Sequence, residues 1–320
     1  MKILITGATG FVGQELCRVL TETGHNLRLA VRQDDDRARA LTRITLSQVT
    51  CVGNIGPETD WGRALEGVDV VVHLAALVHQ LDSRGYPSLE AFRSVNCHGT
   101  SRLARCAAEA GVPRFVFLST IKVNGELTVA EPFTEVSEPA PADSYGVSKW
   151  EAEQALGRIS RDTGLEVVIF RPPLIYGPGV KGNFLSLMTL VRRGMPLPFG
   201  LVHNKRSLLY VGNLVDALAL SVDSPNAAGK TFMISDGEDF STPELISRIA
   251  AALGVRSRLL PLPPAAIRFL GRLTGKVSQT NRLLQSLQVD SRKIRNELGW
   301  TPPFHTSEGL MSVATWYSKL

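Results

Sequence analysis

Residues 2–13 read "KILITGATGFVG", and few arrangements of a chain accommodate them. "KILIT" is short, apolar and β-branched, the pattern of a buried strand. From Phe11 to Gly24 the apolar residues recur with helical spacing, and the pattern stops at a glycine. Between the two, Gly7, Gly10 and Gly13 are spaced three apart. A glycine turn that leads a strand straight into a helix lets the backbone approach a ligand closely. The helix N-terminus adds unpaired N–H groups and the positive end of the peptide dipoles, a cradle that suits a pyrophosphate. A glycine motif alone is weak; its place between a strand and an amphipathic helix gives it meaning.

The alternation continues for some 170 residues. "NLRLAV", "SQVTCV", "VDVVVHLAA", "PRFVFLST" and "LEVVIFRP" read as further strands, and "VDVVVHLAA" is apolar throughout, as expected for burial on both faces. "SLEAFRSVNCHGTSRLARCAAEAG" reads as one long helix ending at Gly111, and another helix opens near Tyr145. Repeated strand–helix–strand units imply right-handed crossovers and a doubly wound, predominantly parallel α/β sheet of Rossmann type. After about Pro178 short strands and helices mix with Gly and Pro, as in "RRGMPLPFG", which reads as a smaller C-terminal α/β lobe. The expected division is 1–178 for the dinucleotide-binding domain and 179–320 mainly for a substrate lobe, with segments free to return to the sheet.

The bulk numbers exclude other classes. In 320 residues, 44% of them hydrophobic, no apolar run reaches membrane-spanning length, and "MKILITGATG" lacks a signal peptide's apolar core and cleavage site. Cys17, Cys51, Cys97 and Cys106 fall at unrelated spacings and read as reduced core or helix residues of a cytoplasmic protein. The six histidines form no ligand pattern, so no metal is expected. The net charge of +5 suits anionic small molecules but is no more than solubility requires, and no nucleic-acid motif accompanies it.

"DSYGVSKWEAE" places Tyr145 four residues before Lys149, one turn apart on a helix face. An ammonium beside a phenol favours the phenolate, which makes a tuned proton donor. A surface tyrosine and a solvated lysine share that spacing by chance, so the pair acquires significance only from its surroundings. Thr120 closes the fifth strand 25 residues earlier. A hydroxyl there faces the crevice where ligands of such sheets bind.

The Gly-x-x-Gly-x-x-Gly turn with Tyr-x-x-x-Lys and "FLST" resembles the extended, sugar-nucleotide branch of the short-chain dehydrogenase/reductase superfamily, over nearly the whole chain. The resemblance implies Thr120, Tyr145 and Lys149 as catalytic residues. It implies Gly7, Thr9, Gly10, Phe11, Val12, Gly13, Asn54, Ile55, Leu74, Ala75, Ala76, Asn96, Ser119 and Pro172 beside the cofactor, Asn96 as support for the active-site lysine. "RPPLIYGPG" resembles the turn that packs on the nicotinamide, and "LGWTPPF" the family's C-terminal ending. His73, in "HLAA", is expected to be a strand-end core residue.

The cofactor follows from the end of the second strand. NAD-binding chains usually place Asp or Glu there for the adenosine ribose. Here Val31 holds that position and Arg32 follows, a side chain able to grip a 2′-phosphate bidentately. NADP(H) is therefore favoured and NAD(H) remains open, since Asp34, Asp35 and Asp36 lie close behind.

Dehydratases of this branch carry Asp-Glu after the active-site Thr; here Ile121 and Lys122 stand there, so dehydration is excluded. What remains is hydride transfer at the sugar C4, as a 4-keto reductase or a 4-epimerase. "NGE", "RPPLIYGPGVKGNF" and "RSLLYVGNLVDAL" resemble bacterial enzymes of O-antigen and capsule assembly, among them 4-reductases acting on UDP-4-keto-6-deoxy sugars to make UDP-N-acetylquinovosamine. A silent NADP(H)-binding sensor and a reductase of other small ketones are the competing readings. On the substrate side the resemblance implies Ile121, Lys122, Asn183, Phe184, Arg206 and Arg282 near a UDP-sugar, with Pro198 and Phe199 forming the base pocket. It also implies a homodimer. In "PPAAIRFLGRLTGK", Ile267, Leu270 and Leu273 are expected on one side of a helix and Arg268 and Arg272 on another. Such a basic amphipathic helix can lie on anionic lipid, but the preferred reading is a lobe helix over the substrate site with solvated arginines, and a membrane surface is not an expected partner.

Overall fold

The computed structural model describes residues 1–78, 87–275 and 277–320, and only the backbone of residues 278 and 279. Ten strands are described: β1 (Lys2–Thr6), β2 (Asn26–Val31), β3 (Gln48–Cys51), β4 (Val70–His73), β5 (Arg114–Leu118), β6 (Glu166–Arg171), β7 (Leu174–Tyr176), β8 (Arg206–Tyr210), β9 (Thr231–Met233) and β10 (Asp239–Phe240). Seven form one sheet in the order β3-β2-β1-β4-β5-β6-β9, and every neighbouring pair is parallel. This is the Rossmann sheet that the alternation implies. The central β4 is buried at every position, as its continuous apolar run requires.

Sequence reading found six of the seven strands. The seventh, β9, is three residues long and comes from beyond residue 178; it pairs with β6 through Ile169, Phe170 and Arg171. The helix Val211–Asp223 likewise packs against the first helix, Phe11–Glu22, and its Leu214, Val215 and Leu218 share a core with Ile3, Ile5 and Leu16. Buried Arg114 fastens this return. Its guanidinium donates to the carbonyls of Ser221, Val222 and Ser224 at 3.1, 2.9 and 2.8 Å, and to the Glu166 carboxylate at 2.7 Å.

A second sheet, β10-β8-β7, carries the lobe. Its core gathers Tyr176, Phe184, Phe199, Phe240 and Ile246. Tyr176 stacks on Phe184 with ring centroids 5.5 Å apart and donates to Asp236 at 3.0 Å. Asp236 in turn accepts from the Tyr210 backbone and from Asn213.

Two expectations need correction. The long helix before β5 is not uniform: between α-helical Leu89–Phe92 and Thr100–Glu109, the segment Arg93–Gly99 is π-helical. Such wide turns are uncommon and cluster at functional sites. The four cysteines are unpaired, but Cys51 is exposed at the end of strand β3 and is neither a core nor a helix residue. No helix among the described residues is long and apolar enough to cross a membrane.

Candidate active site

The carboxyl ends of β1, β4, β5 and β6 meet where the strand order reverses, the place where open α/β sheets bind ligands. At β1, Gly7 has φ +71°, and a Cβ there would lie 2.7 Å from the Ala75 backbone nitrogen. A Cβ on Gly13 would lie 2.2 Å from the Gly7 carbonyl oxygen. Both approaches admit only glycine. Gly10 N-caps the helix Phe11–Glu22 without any side-chain cap, so the first N–H groups, from Phe11 to Gly13, keep no intrahelical acceptor. A closely approached backbone with free donors fits a dinucleotide pyrophosphate. Phe11 also meets the "YGPG" turn, where a Cβ on Gly177 would lie 3.4 Å from its ring.

Beside this turn, Leu74 and Ala75 are held by Thr6, through its carbonyl and its hydroxyl, each at 3.2 Å. His73 is buried between Thr6 and Thr100, at 2.6 and 2.9 Å, and its ring stacks on Phe117. Burial, reinforced by Lys149, pushes its pKa down to about 3, so it is a neutral core residue as expected. Asn96 lies in the π-helical segment. It accepts from Leu77 N–H at 2.7 Å and donates to the Leu77 carbonyl and to the Ser148 hydroxyl, both at 3.0 Å. It therefore ties the β4 loop to the helix Ser144–Thr163; it makes no hydrogen bond to Lys149, and its support of the lysine is indirect. Ile55 packs against Gly99 of the same helix, and Asn54 is exposed beside it.

The helix Ser144–Thr163 begins at Asp143, whose carboxylate caps Gly146 N–H at 2.7 Å. It places Tyr145 and Lys149 on consecutive turns. Lys149 is 1% exposed, and its ammonium lies 3.8 Å from the centroid of the Phe117 ring. Burial lowers its pKa to about 7, against the opposing pull of Glu153. Burial, with the Asp143 carboxylate, raises the Tyr145 phenol. Lowering of the tyrosine by Lys149, expected from their spacing, is thus outweighed here: taking a phenol out of water disfavours the phenolate, and a lysine near neutrality is only partly charged.

Thr120 lies next to this helix. Backbone pairing continues past β5 and β6, from Ser119 N–H to the Phe170 carbonyl at 2.7 Å and from Ile121 N–H to the Pro172 carbonyl at 2.9 Å, which fixes Thr120 between them. Ser119 is distinct from it: its hydroxyl donates to Glu153. Glu153 forms a buried ion pair with Arg171 at 2.5 Å, and Arg171 also donates to Asn124 at 3.1 Å. Sequence reading missed this Ser119–Glu153–Arg171–Asn124 network. The signal was present in Glu153, one turn beyond Lys149 on the same face.

The structure gathers three of the substrate candidates and separates others. Lys122 is ion-paired to Asp143 and to Glu126. Glu126 also meets Arg282 at 3.7 Å. Burial and the nearby Arg282 lower the Arg206 guanidinium to about 10, while Glu126 opposes them. Arg206 and Arg282 thus share Glu126 as their nearby counter-charge. Ile121, Phe184 and Phe199 are 3%, 3% and 8% exposed and pack in apolar cores, a difference from exposed Asn183 that alternating apolar residues conceal in a sequence. Asn183 is exposed in the first turn of the helix Gly182–Arg192. Pro198 is half-buried.

At the end of β2, Arg32 is exposed and has no ion pair among the described residues. Of the aspartates behind it, Asp35 caps Ala38 N–H at 2.9 Å and Asp34 pairs with Arg39 at 3.3 Å, whereas Asp36 is fully exposed and approaches Arg39 only to 3.9 Å. Among the described residues no cluster of His, Cys, Asp and Glu could hold a metal ion.

Residues 3–235 match the family model described as NAD dependent epimerase/dehydratase family. A UDP-glucose 4-epimerase of Vibrio cholerae is 44% identical over 98% of this chain and 94% of its own length. The chain belongs to the NAD dependent epimerase/dehydratase family. It is an enzyme of that family. A second relative, an N-acetyl-alpha-D-glucosaminyl-diphospho-ditrans,octacis-undecaprenol 4-epimerase of Escherichia coli O157:H7, is 27% identical over 97% of this chain and 93% of its own length. The fold matches a UDP-glucuronic acid 4-epimerase of Bacillus cereus solved with NAD, at TM-score 0.81 and 22% identity, covering 100% of this chain and 97% of that one.

Proposed function

We propose that this family member transfers hydride at C4 of a UDP-sugar. What supports the reading is Tyr145 and Lys149 one turn apart on the helix Ser144–Thr163, Thr120 just beyond β5, the glycine turn after β1, and a Glu126 carboxylate shared by Lys122 and Arg282. A nicotinamide held at the cradle supplies the hydride acceptor or donor. Tyr145 takes the proton of the C4 hydroxyl as the carbonyl forms, or returns it. Thr120 hydrogen-bonds the same oxygen. Lys149, whose pKa burial lowers to about 7, stands one turn from Tyr145, where its charged form favours the phenolate. Arg206 and Arg282 hold the diphosphate, and Glu126 leaves them as it binds. Ile121 and Lys122 offer no acid/base pair for dehydration.

Two outcomes share this step. The 44% identical Vibrio relative favours 4-epimerisation, in which the keto-sugar turns over and hydride returns to its other face. Exposed Arg32, directly after Val31 at the end of β2, favours NADP(H) and its exchange, hence 4-keto reduction, while exposed Asp34 and Asp36 behind it leave NAD(H) open. The test is NADPH and NADH oxidation with UDP-4-keto-6-deoxy-N-acetylglucosamine, run beside the interconversion of UDP-glucose and UDP-galactose and of their N-acetyl forms. Oxidation that prefers NADPH, and prefers it less in Arg32→Asp, identifies the reductase. Interconversion with retained NAD identifies the epimerase. Neither activity, or full activity in Tyr145→Phe, overturns the proposal.

A further inference from the structure

We propose that the helix Pro264–Leu273 docks the protein on an anionic lipid surface. The sequence pattern alone favours a lobe helix over the substrate site with solvated arginines. The structure turns it differently. Ile267 is 5% exposed and Gly271 is buried, and a Cβ on Gly271 would lie 2.5 Å from the Thr280 hydroxyl. These two residues define the contact face. Leu270 and Leu273, expected beside Ile267, are 47% and 68% exposed, and Phe269 is 61% exposed.

The reason is the close approach at Gly271, which centres the packed side there. At about 100° per residue, Phe269 then points away from the lobe and Leu273 follows one turn later. Val277, at the start of the helix Val277–Leu284, is exposed one turn beyond Leu273. Arg268 and Arg272 stand one turn apart on the other flank of Phe269 and are both exposed.

Charge chooses among possible occupants. From Val255 to Val289 the chain has five arginines, one lysine and no acidic residue. Of the arginines, Arg282 is engaged by Glu126, whereas Arg268 and Arg272 have no ion pair among the described residues. An exposed aromatic and leucine stripe flanked by arginines is the composition that settles in the headgroup region of a bilayer, with the arginines at lipid phosphates. A second copy is a poorer occupant, because a two-fold contact sets a patch against itself and would oppose arginine to arginine. An apolar core of this protein cannot cover the stripe without lifting Ile267 and Gly271 from their own contacts.

The experiment is co-sedimentation of the full chain with vesicles of phosphatidylglycerol and phosphatidylcholine, against phosphatidylcholine alone, at low and high salt. Binding is expected to the anionic vesicles and to weaken with salt. Phe269→Glu with Leu273→Glu is expected to abolish it. Arg268→Ala and Arg272→Ala are each expected to weaken it about 5-fold. All these variants should keep the melting temperature and the turnover of soluble substrate, since the altered side chains are exposed and lie outside the site. Equal pelleting with neutral vesicles, no pelleting at all, or binding unchanged in the glutamate variant overturns the proposal. A concentration-dependent dimer dissolved by Phe269→Glu, without vesicle binding, would assign the face to a second copy instead.

Discussion

At the scale of single residues, burial decides what each ionisable group does. Tyr145→Phe removes only the phenol oxygen, so the melting temperature should stay unchanged while kcat falls about 10²–10⁴-fold, the usual contribution of a positioned proton donor. Steady-state rates beside a thermal melt check this. His73 titrates in the unfolded chain near 6.5 and in the fold near 3. Below pH 6.5 the unfolded state binds the additional proton, so the stability His73 contributes is complete above pH 6.5 and declines towards pH 3, by up to about 1.4 kcal/mol per pH unit. Urea midpoints across that range should fall less steeply in His73→Gln, and parallel curves for the two proteins would refute the assignment. Lys149 has the same sense in a higher window. Its folded pKa near 7 lies below the unfolded 10.5, so between these values the unfolded chain holds more protons and stability is regained as the pH rises.

At the scale of elements, the glycine turn and the catalytic helix rest on different supports. Gly13→Ala would drive a methyl group into the Gly7 carbonyl, and Gly7→Ala would meet the β4 loop with a left-handed backbone besides. Either is expected to weaken NAD(P)H binding more than tenfold, read by the dinucleotide's fluorescence. The buried pair Glu153–Arg171 braces the helix against β6 and Ser119. Glu153→Ala leaves a buried cation unpaired and should cost about 3–5 kcal/mol, whereas Glu153→Met with Arg171→Met should cost much less. Chemical denaturation of the two variants separates the effects. The strand, turn and helix of residues 2–22 were legible because each is local. The π-helical segment was not: only packing of Gly99 against Ile55 and the bonds of Asn96 to Leu77 and Ser148 distinguish it from an ordinary helix.

At the scale of the whole molecule, the chain crosses between sheet and lobe more than once. β9 and the helix Val211–Asp223 return to the Rossmann sheet after β7 and β8 have entered the lobe. Arg114→Ala should loosen that return. Losing its bonds to three helix-end carbonyls should lower stability by about 1.5–3 kcal/mol, with the urea dependence unaltered if unfolding stays cooperative.

The sequence by itself determined the parallel order of strand and helix, the glycine cradle, and the one-turn spacing of Tyr145 and Lys149. These depend on short-range periodicity, which residue type records directly. Only the tertiary structure decided that a three-residue strand completes the sheet and that Ser119, Glu153, Arg171 and Asn124 meet. It also decided that Phe184 and Phe199 fill a core while Phe269 and Leu273 face outward. Those outcomes depend on which apolar face is covered and which charges are brought together across long stretches of chain. Residue type is the same on either side of that choice; packing makes it.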